Sequence, residues 1–314
     1  MENIKDKPKD VSSFLHLLSL SEGAQWLHLC IRHEGTASYL TEQIKLDDLV
    51  VQALLDEDTR SRIRVRPDGI MILLKAMHLR GEEMARPEDM VSIRLWIAPE
   101  IIITTREADV DPIVAIATRL QDGTGPRTVG EFLVELIDEH LNEVEEQVEL
   151  LEDDVSKMGG LVAQNMTELV CPNIAGTDIR ISGFLRHLRP QRAVFETLAN
   201  LKHDLLGDRE RAQLDDSHNR LLRFLETLQE LRDRIEILND QVTRIQDRQL
   251  NRISYGFAAT ATIFLPLSFL AGLFGVNFAG IPFANEPLAF MVFTSICVVI
   301  AILMFTIFRW RRWL

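Results

Sequence analysis

The sequence lacks the residues that several protein classes require. It has three cysteines in 314 residues, at Cys30, Cys171 and Cys297. Three cysteines are too few for a disulfide framework. The sequence also lacks paired Cys/His motifs of the kind that would indicate a structural zinc site. Basic residues are also few, 34 against 47 acidic ones, which gives a net charge of −13. Because nucleic-acid binding needs a basic face, we expect no nucleic-acid partner.

Catalytic signatures are missing as well. The chain has no phosphate-binding glycine-rich loop, no nucleophile elbow and no metalloprotease helix motif. We therefore expect no enzyme activity, no catalytic residues and no cofactor. All eight histidines precede residue 250, and Cys30 with His33 is the one close Cys/His pair, so zinc ligation by histidine has weak support.

Charge is absent from two long stretches near the C-terminus, Ile253–Asn285 and Pro287–Phe308. Turn residues at Gly275-Val276-Asn277 break the first stretch, so two helices are predicted, about Ile253–Phe274 and Leu288–Phe308. Each is long enough to cross a hydrocarbon core of about 30 Å. The sequence therefore predicts a two-helix membrane hairpin.

The charges that flank the hairpin set its orientation. The loop between the spans carries Glu286 and no basic residue, while arginines lie outside both spans: Arg248, Arg252, Arg309, Arg311 and Arg312. Basic flanks stay on the cytoplasmic side, so both termini are expected in the cytoplasm. The charged start, Met1–Asp10, does not resemble a cleavable signal peptide. The expected location is the bacterial inner membrane.

The first 206 residues have mixed patterning. One early helix is predicted at Thr41–Leu55. Alternating and apolar runs predict strands at Gln25–Ile31, Arg62–Arg66, Ile70–Met77, Met90–Ile97 and Ile101–Thr105. Residues 1–20 give little signal. This mixed α/β domain is expected to end near Arg106. Later helices are predicted at Pro112–Leu120, Val129–Lys157 and Asp178–Leu205, with a break at Gly159-Gly160.

The helix Val129–Lys157 has eleven acidic residues between Glu131 and Asp154 and no Lys or Arg between them. Such a face is either an ordinary solvated surface or a surface that concentrates cations. The sequence leaves both interpretations open.

The last helix before the membrane has no Gly or Pro between Gly207 and Gly256. Its apolar residues recur at steps of 3 and 4, as in a heptad seam: Leu221, Leu225, Leu228, Leu231, Ile235, Leu238, Val242 and Ile245. Because nothing interrupts it, one helix from Asp208 to Phe274, about 100 Å long, is predicted.

A second stripe runs along the opposite face of this helix and stays small or polar into the membrane. Its members are Asp240, Arg244, Asp247, Asn251, Ser254, Ala258, Ala261, Leu265, Ser268, Gly272 and Gly275. Close helix packing and a wet lumen explain it equally well. In a lumen, Phe257 and Leu265 would form apolar constrictions. Two spans cannot enclose a pore, so a pore would require several copies of the chain around one axis. Rings of Asp240 and Asp247 would then attract cations. Arg244 opposes this unless it pairs with those carboxylates.

These features resemble the CorA superfamily of divalent-cation transporters. The resemblance rests on the long helix, on the segment from Phe264 to Gly272 with Pro266 in it, and on the short loop, second span and basic end. The superfamily signature is Gly-Met-Asn; here Gly275-Val276-Asn277 is followed by Gly280-Ile281-Pro282, which is similar to the ZntB zinc-transporter branch. The similarity is specific over residues 207–314 and rests on layout alone over residues 1–206.

The resemblance implies an α+β fold with a mixed α/β cytoplasmic domain, long stalk helices and a C-terminal transmembrane hairpin. The implied parts are a funnel (1–206), a stalk helix (207–252), a pore-lining span (253–274), an external loop (275–287), a second span (288–308) and a basic tail (309–314). It implies a homopentamer whose Asn277 ring holds a hydrated ion. Glu286 is either an added attraction at the mouth or an ordinary loop residue.

The predicted function is therefore passive or proton-coupled zinc transport, with Zn²⁺ or another divalent cation as cargo. The predicted pore-lining residues are Asp240, Asp247, Asn251, Ser254, Phe257, Ala258, Ala261, Leu265 and Ser268. The predicted mouth is formed by Gly275, Val276, Asn277 and Glu286. Two alternatives remain, a magnesium/cobalt channel of the same superfamily and a non-transporting membrane scaffold held by a coiled coil.

Overall fold

The computed structural model describes residues 15–56, 60–77, 90–108, 110–275 and 288–310. The chain divides into two compact units, Met1–Asn239 and Asp240–Leu314. The first contains a β-sheet and long helices, which confirms the predicted mixed α/β class. The helices are α1 (Gly35–Ser38), α2 (Asp48–Leu55), α3 (Asp111–Gln121), α4 (Val129–Ala163), α5 (Thr167–Leu188), α6 (Gln191–Ala199), α7 (Asp208–Phe274) and α8 (Ala289–Trp310).

The described strands form one six-stranded sheet in the order β1-β2-β6-β5-β4-β3. Neighbours are antiparallel except β2 and β6, which run parallel with Gln25 opposite Ile101. The strands are β1 (Leu15–Ser19), β2 (Gln25–Cys30), β3 (Arg62–Arg66), β4 (Gly69–Met77), β5 (Met90–Ala98) and β6 (Ile101–Arg106). Five of them were predicted to within a residue or two; β1 was not, because a short edge strand carries little pattern of its own.

Both faces of the sheet are covered. On one face, α2 closes a core that includes Leu29, Leu54 and Ile103. On the other, the Trp26 ring meets Phe132 of α4 edge to face, with ring centroids 4.8 Å apart. The Trp26 indole donates to Thr104 Oγ1 at 2.8 Å, so its polar atom is satisfied inside the core.

The predicted helix Thr41–Leu55 is wrong in its first half. A π-helical turn occupies Tyr39–Gln43, and α2 begins only at Asp48. The cause is a new cap, because the Asp47 side chain accepts a hydrogen bond from the Leu49 N–H at 2.9 Å. Lys45, with φ of 59°, lies between the two segments.

Two other helix predictions need correction. No break occurs at Gly159-Gly160, since α4 continues to Ala163. The flanking Met158 and Val162 are buried, and their packing outweighs the roughly 1 kcal/mol that each glycine costs a helix. The predicted helix Asp178–Leu205 is two helices, α5 and α6, which separate at Pro190, and α5 starts eleven residues earlier than expected, at Thr167 rather than Asp178.

The heptad seam of α7 is buried within a single chain. Leu221, Leu228, Leu231 and Ile235 are almost inaccessible to solvent. A β-carbon on Gly159 of α4 would lie 4.0 Å from Leu238 Cδ2, so α4 contributes to the packing. In the first unit this seam therefore belongs to the chain's own core, which disfavours a scaffold held by an intermolecular coiled coil.

Two glycines of α4 provide a matched test of this packing. A β-carbon on Gly130 would lie 2.7 Å from the Leu205 carbonyl oxygen, whereas nothing lies within 4 Å of one on Gly160. We expect Gly130→Ala to destabilise the protein by about 1–3 kcal/mol and Gly160→Ala to stabilise it by about 0.5–1 kcal/mol. Thermal unfolding of the purified protein measures both; equal midpoints for the two variants would contradict the packing.

Candidate cation pathway

The second unit contains the C-terminal half of α7 and all of α8. Within the described residues these two helices are long and apolar enough to cross a membrane. Their hydroxyl groups bond to the helix itself, since Thr260 Oγ1 donates to the Gly256 carbonyl at 2.9 Å and Thr262 Oγ1 to the Ala258 carbonyl at 2.7 Å. Hydroxyls satisfied in this way are tolerated in hydrocarbon.

One face of each helix is less exposed than the rest. On α7 it recurs at helical spacing as Gly256, Ala259, Ile263, Pro266 and Leu270, and on α8 as Phe293, Cys297, Ala301, Met304 and Phe308. Ala259 is 4% exposed and Phe308 9%, the lowest values on either set. Reduced exposure at these positions marks the side of each helix that is partly covered within the chain.

The spacing of the two faces is compatible with antiparallel packing of the helices. If Ala259 lay level with Phe308, helical advance would place Ile263 level with Met304 and Leu270 level with Cys297. Each of these residues has reduced exposure. Cys297 lies on the less exposed face of α8.

The stripe predicted to line a pore lies on a different side of α7 from Ala259. With about 100° of rotation per residue, Ser254, Ala258 and Leu265 point about 100–140° away from Ala259. All nine predicted pore-lining residues are exposed in the single chain, with Phe257 at 75% and Leu265 at 72%. Close packing of the stripe on α8 is therefore excluded. What remains is contact with other copies, with lipid or with a lumen.

The predicted mouth is described at one residue only. Gly275 closes α7, and its N–H donates to the Ala271 carbonyl at 2.9 Å. Val276, Asn277 and Glu286 lie outside the described residues. At the other end of the stripe, Asp240, Arg244 and Asp247 are exposed, and Arg244 makes no ion pair with a described residue. The intrachain pairing that would neutralise Arg244 is absent from that part of the chain.

The acidic helix α4 is partly neutralised within the chain. Arg119 of α3 binds Glu139 at 2.5 Å and Glu135 at 3.1 Å. Arg220 of α7 binds Asp138 at 2.5 Å and Glu145 at 2.8 Å. Other carboxylates on this helix stay exposed and make no ion pair with a described residue: Glu146, Glu149, Glu152 and Asp153. The helix is thus both a salt-bridged face and a residual anionic surface.

Glu143 of α4 was not singled out from the sequence. Both of its carboxyl oxygens are buried, and neither has a hydrogen-bond partner among the described residues. Burial, together with the charges of Asp111, Glu146 and Glu139, raises its pKa to about 8. The signal was present, because Glu143 continues the buried row of His140 and Gln147 at helical spacing.

Two buried histidines of the first unit, His28 and His140, are structural. His28 Nδ1 lies 2.6 Å from Thr104 Oγ1, and His140 Nε2 lies 2.9 Å from Gln191 Oε1. Burial lowers the pKa of His28 to about 3 and that of His140 to about 4, so both rings are neutral at pH 7. In the described ranges, no three His, Cys, Asp or Glu side chains are grouped so that they could hold a metal ion.

Glu143 predicts a defined pH dependence of stability. Its folded pKa of about 8 lies above the ordinary value of 4.5 for a glutamate, so its favourable contribution is complete below about pH 4.5 and is lost as the pH rises to about 8. Glu143→Gln should therefore stabilise the protein at pH 8.5, on the order of a few kcal/mol, and change little at pH 5.

Thermal unfolding at both pH values measures this effect. Glu149→Gln, at an exposed acid of the same helix, is the matched control and should give the same small change at both. A Glu143→Gln effect that does not depend on pH would contradict the buried-acid interpretation.

A mixed α/β unit followed by two helices that are long and apolar enough to cross a membrane fits a two-span membrane protein. The family model described as CorA-like Mg2+ transporter protein matches residues 21–312. The chain therefore belongs to the CorA family, whose members transport divalent cations and are not enzymes.

Curated relatives carry a more specific name. The chain is 30% identical over 298 residues to "Zinc transport protein ZntB" of Yersinia enterocolitica, covering 94% of this chain and 88% of the relative. It is 33% identical over 294 residues to the protein of the same name from Cronobacter sakazakii, covering 92% and 88%. These matches confirm the resemblance drawn from the Gly-Val-Asn segment.

Solved structures share the fold. The full-length CmaX protein matches with a TM-score of 0.77 and 27% identity, covering 94% of this chain and 90% of that one. The CorA magnesium transporter from Methanocaldococcus jannaschii matches at 0.79 and 20% identity, covering 91% and 90%. The ZntB cytoplasmic domain from Vibrio parahaemolyticus matches at 0.66 and 20% identity, covering 75% and 99%.

Proposed function

We propose that this protein carries Zn²⁺ across the bacterial inner membrane through a pore lined by the α7 stripe of several copies. The observation that carries the proposal is the orientation of the stripe. Small and hydroxylated residues such as Ser254, Ala258 and Ser268 remain exposed in one chain. A neutral small-residue face on a membrane helix needs a partner or a lumen.

The hairpin geometry favours assembly around an axis. One copy offers one stripe, and α8 lies behind α7, so it cannot close a lumen on the stripe side. A ring of α7 helices with α8 on the outside satisfies both faces at once. The family resemblance implies five copies, and we propose a homopentamer with residues 1–206 as a cytoplasmic funnel and residues 207–252 as its stalk.

The proposed entry filter is the ring of Gly275-Val276-Asn277 at the outer end of α7, with Glu286 as an added attraction. Small divalent ions lose their hydration water only at a high free-energy cost. Neutral oxygens that contact the hydrated ion avoid that cost, whereas direct ligation does not. Asn277 offers such an amide oxygen in each copy. Gly275 at the helix end fits a place where backbone must come close to the axis.

The proposed orientation puts both termini in the cytoplasm and the loop 275–287 outside. Basic residues flank the hairpin at Arg248, Arg252 and Arg309, and the loop has none. The anionic funnel would then lie on the cytoplasmic side. Exposed carboxylates such as Glu149 and Asp153 would raise the local concentration of divalent cations there.

Zinc as cargo is supported by the curated relatives named zinc transport proteins. Magnesium is the second candidate, because the family model and the Methanocaldococcus jannaschii structure carry magnesium in their descriptions. The chain shares about 30% identity with these zinc transport proteins, and it has the Gly-Val-Asn sequence of the zinc branch. Both features favour zinc over magnesium. Protons are a further candidate co-substrate.

Accessibility of the stripe distinguishes a wet lumen from helix packing. In a background without Cys30, Cys171 and Cys297, we expect Ala258→Cys and Ala261→Cys to react with a charged, water-soluble thiol reagent in membranes. Thr260→Cys, on the same turn but off the stripe, is the matched control and should react far more slowly. Equal protection of all three positions would contradict a water-filled pathway.

The mouth is tested by Asn277→Ala. If Asn277 holds the hydrated ion, zinc flux into proteoliposomes should fall by at least tenfold while the oligomer persists in size-exclusion chromatography. Asn239→Ala, far from both spans in sequence, controls for loss of an amide. Normal zinc flux in Asn277→Ala would remove Asn277 from the filter.

A further inference from the structure

Three arginines lie at the ends of the membrane helices on the expected cytoplasmic side, Arg248 and Arg252 on α7 and Arg309 on α8; we call them the boundary arginines. All three are exposed, and none forms an ion pair with a described residue. No acidic residue occurs in residues 248–275 or 288–310. Their charge is therefore uncompensated within this part of the chain.

Arg248 and Arg252 point away from the stripe of the proposed pore. At about 100° per residue, both point within about 20° of Ala259, on the less exposed side of α7. Arg252 lies about 120–160° and Arg248 about 80–120° from Ser254 and Ala258. In the proposed ring, a basic boundary is therefore compatible with cation passage.

The third arginine, Arg309, lies near the end of α8. If Ala259 lay level with Phe308 in an antiparallel hairpin, Arg309 would lie level with Ala258, about 9 Å along the axis from Arg252. Two aromatic side chains lie at the same end, Tyr255 at 59% and Trp310 at 84% exposure. Exposed Tyr and Trp at the end of a span are typical of the membrane interface.

We propose that the boundary arginines, with Tyr255 and Trp310, form an outer surface that binds the headgroups of anionic phospholipids. Guanidinium groups bind phosphate oxygens in a bidentate fork, and long arginine side chains reach the interface from within a span. The bilayer supplies phosphate at this depth, which favours lipid over free phosphate. The surface anchors the outer side of the hairpin and does not depend on which ion crosses.

Lipid-dependent stability tests the proposal on the full-length protein in detergent micelles. Added phosphatidylglycerol should raise the unfolding midpoint by several degrees over the same amount of phosphatidylcholine, because a ligand of the native state stabilises it. Inorganic phosphate should give no such rise. Arg252→Gln and Arg309→Gln should each reduce the phosphatidylglycerol effect, and the double variant should abolish it.

Arg209→Gln is the matched control, since Arg209 is an exposed arginine on the first turn of α7. It should retain the full phosphatidylglycerol effect. Equal stabilisation of the parent protein by both lipids would overturn the proposal, whether or not a variant folds poorly. An undiminished preference in the double variant, or stabilisation by inorganic phosphate alone, would also overturn it. Zinc flux is not part of this readout, so failure here leaves the transport proposal standing.

Discussion

The structure depends on one constraint, which is that a divalent ion must cross the hydrocarbon without a charged side chain to hold it. Neither span has an ionisable carboxylate or histidine, and the hydroxyls of Thr260 and Thr262 bond to their own helix. The proposed path therefore relies on small neutral residues and retained water. In the proposed assembly, that requirement accounts for a stripe of small residues that stays exposed in a single chain.

Acidic residues and the arginines near the spans are concentrated in different parts of the chain. Acidic residues concentrate in the first unit, where Arg119 and Arg220 neutralise some of them. Arg248 and Arg252 lie on the less exposed side of α7, and Arg309 lies near the end of α8. In the proposed assembly this arrangement draws cations to the funnel and keeps positive charge off the axis.

The parts that the sequence predicted well are those with strong patterns. Hydropathy and the positions of Gly and Pro predict five strands, the uninterrupted α7 and the two apolar helices. The errors came where tertiary packing decided, as at Gly159-Gly160, which α4 traverses because Met158 and Val162 are buried. Asp47 began a new helix through a cap that propensity alone did not reveal.

The candidate site was predicted by spacing, and its orientation needed the structure. A stripe of Ser254, Ala258 and Leu265 is equally consistent with packing on a neighbouring helix until the α8-facing side is known. The exposure of the stripe in a single chain shows that the chain's own α8 does not cover it. For Glu143, the sequence spacing alone indicates a position in a buried row. Only the structure shows that its carboxyl oxygens have no hydrogen-bond partner among the described residues.

The central claim is that this neutral path passes zinc, and parallel flux measurements test it most directly. Purified protein in liposomes, loaded with ion-selective dyes, is exposed to Zn²⁺ and to Mg²⁺ in separate samples, with protein-free liposomes as the blank. The account predicts zinc flux well above the blank and above magnesium flux. Magnesium flux without zinc flux, or no flux of either ion, would contradict it.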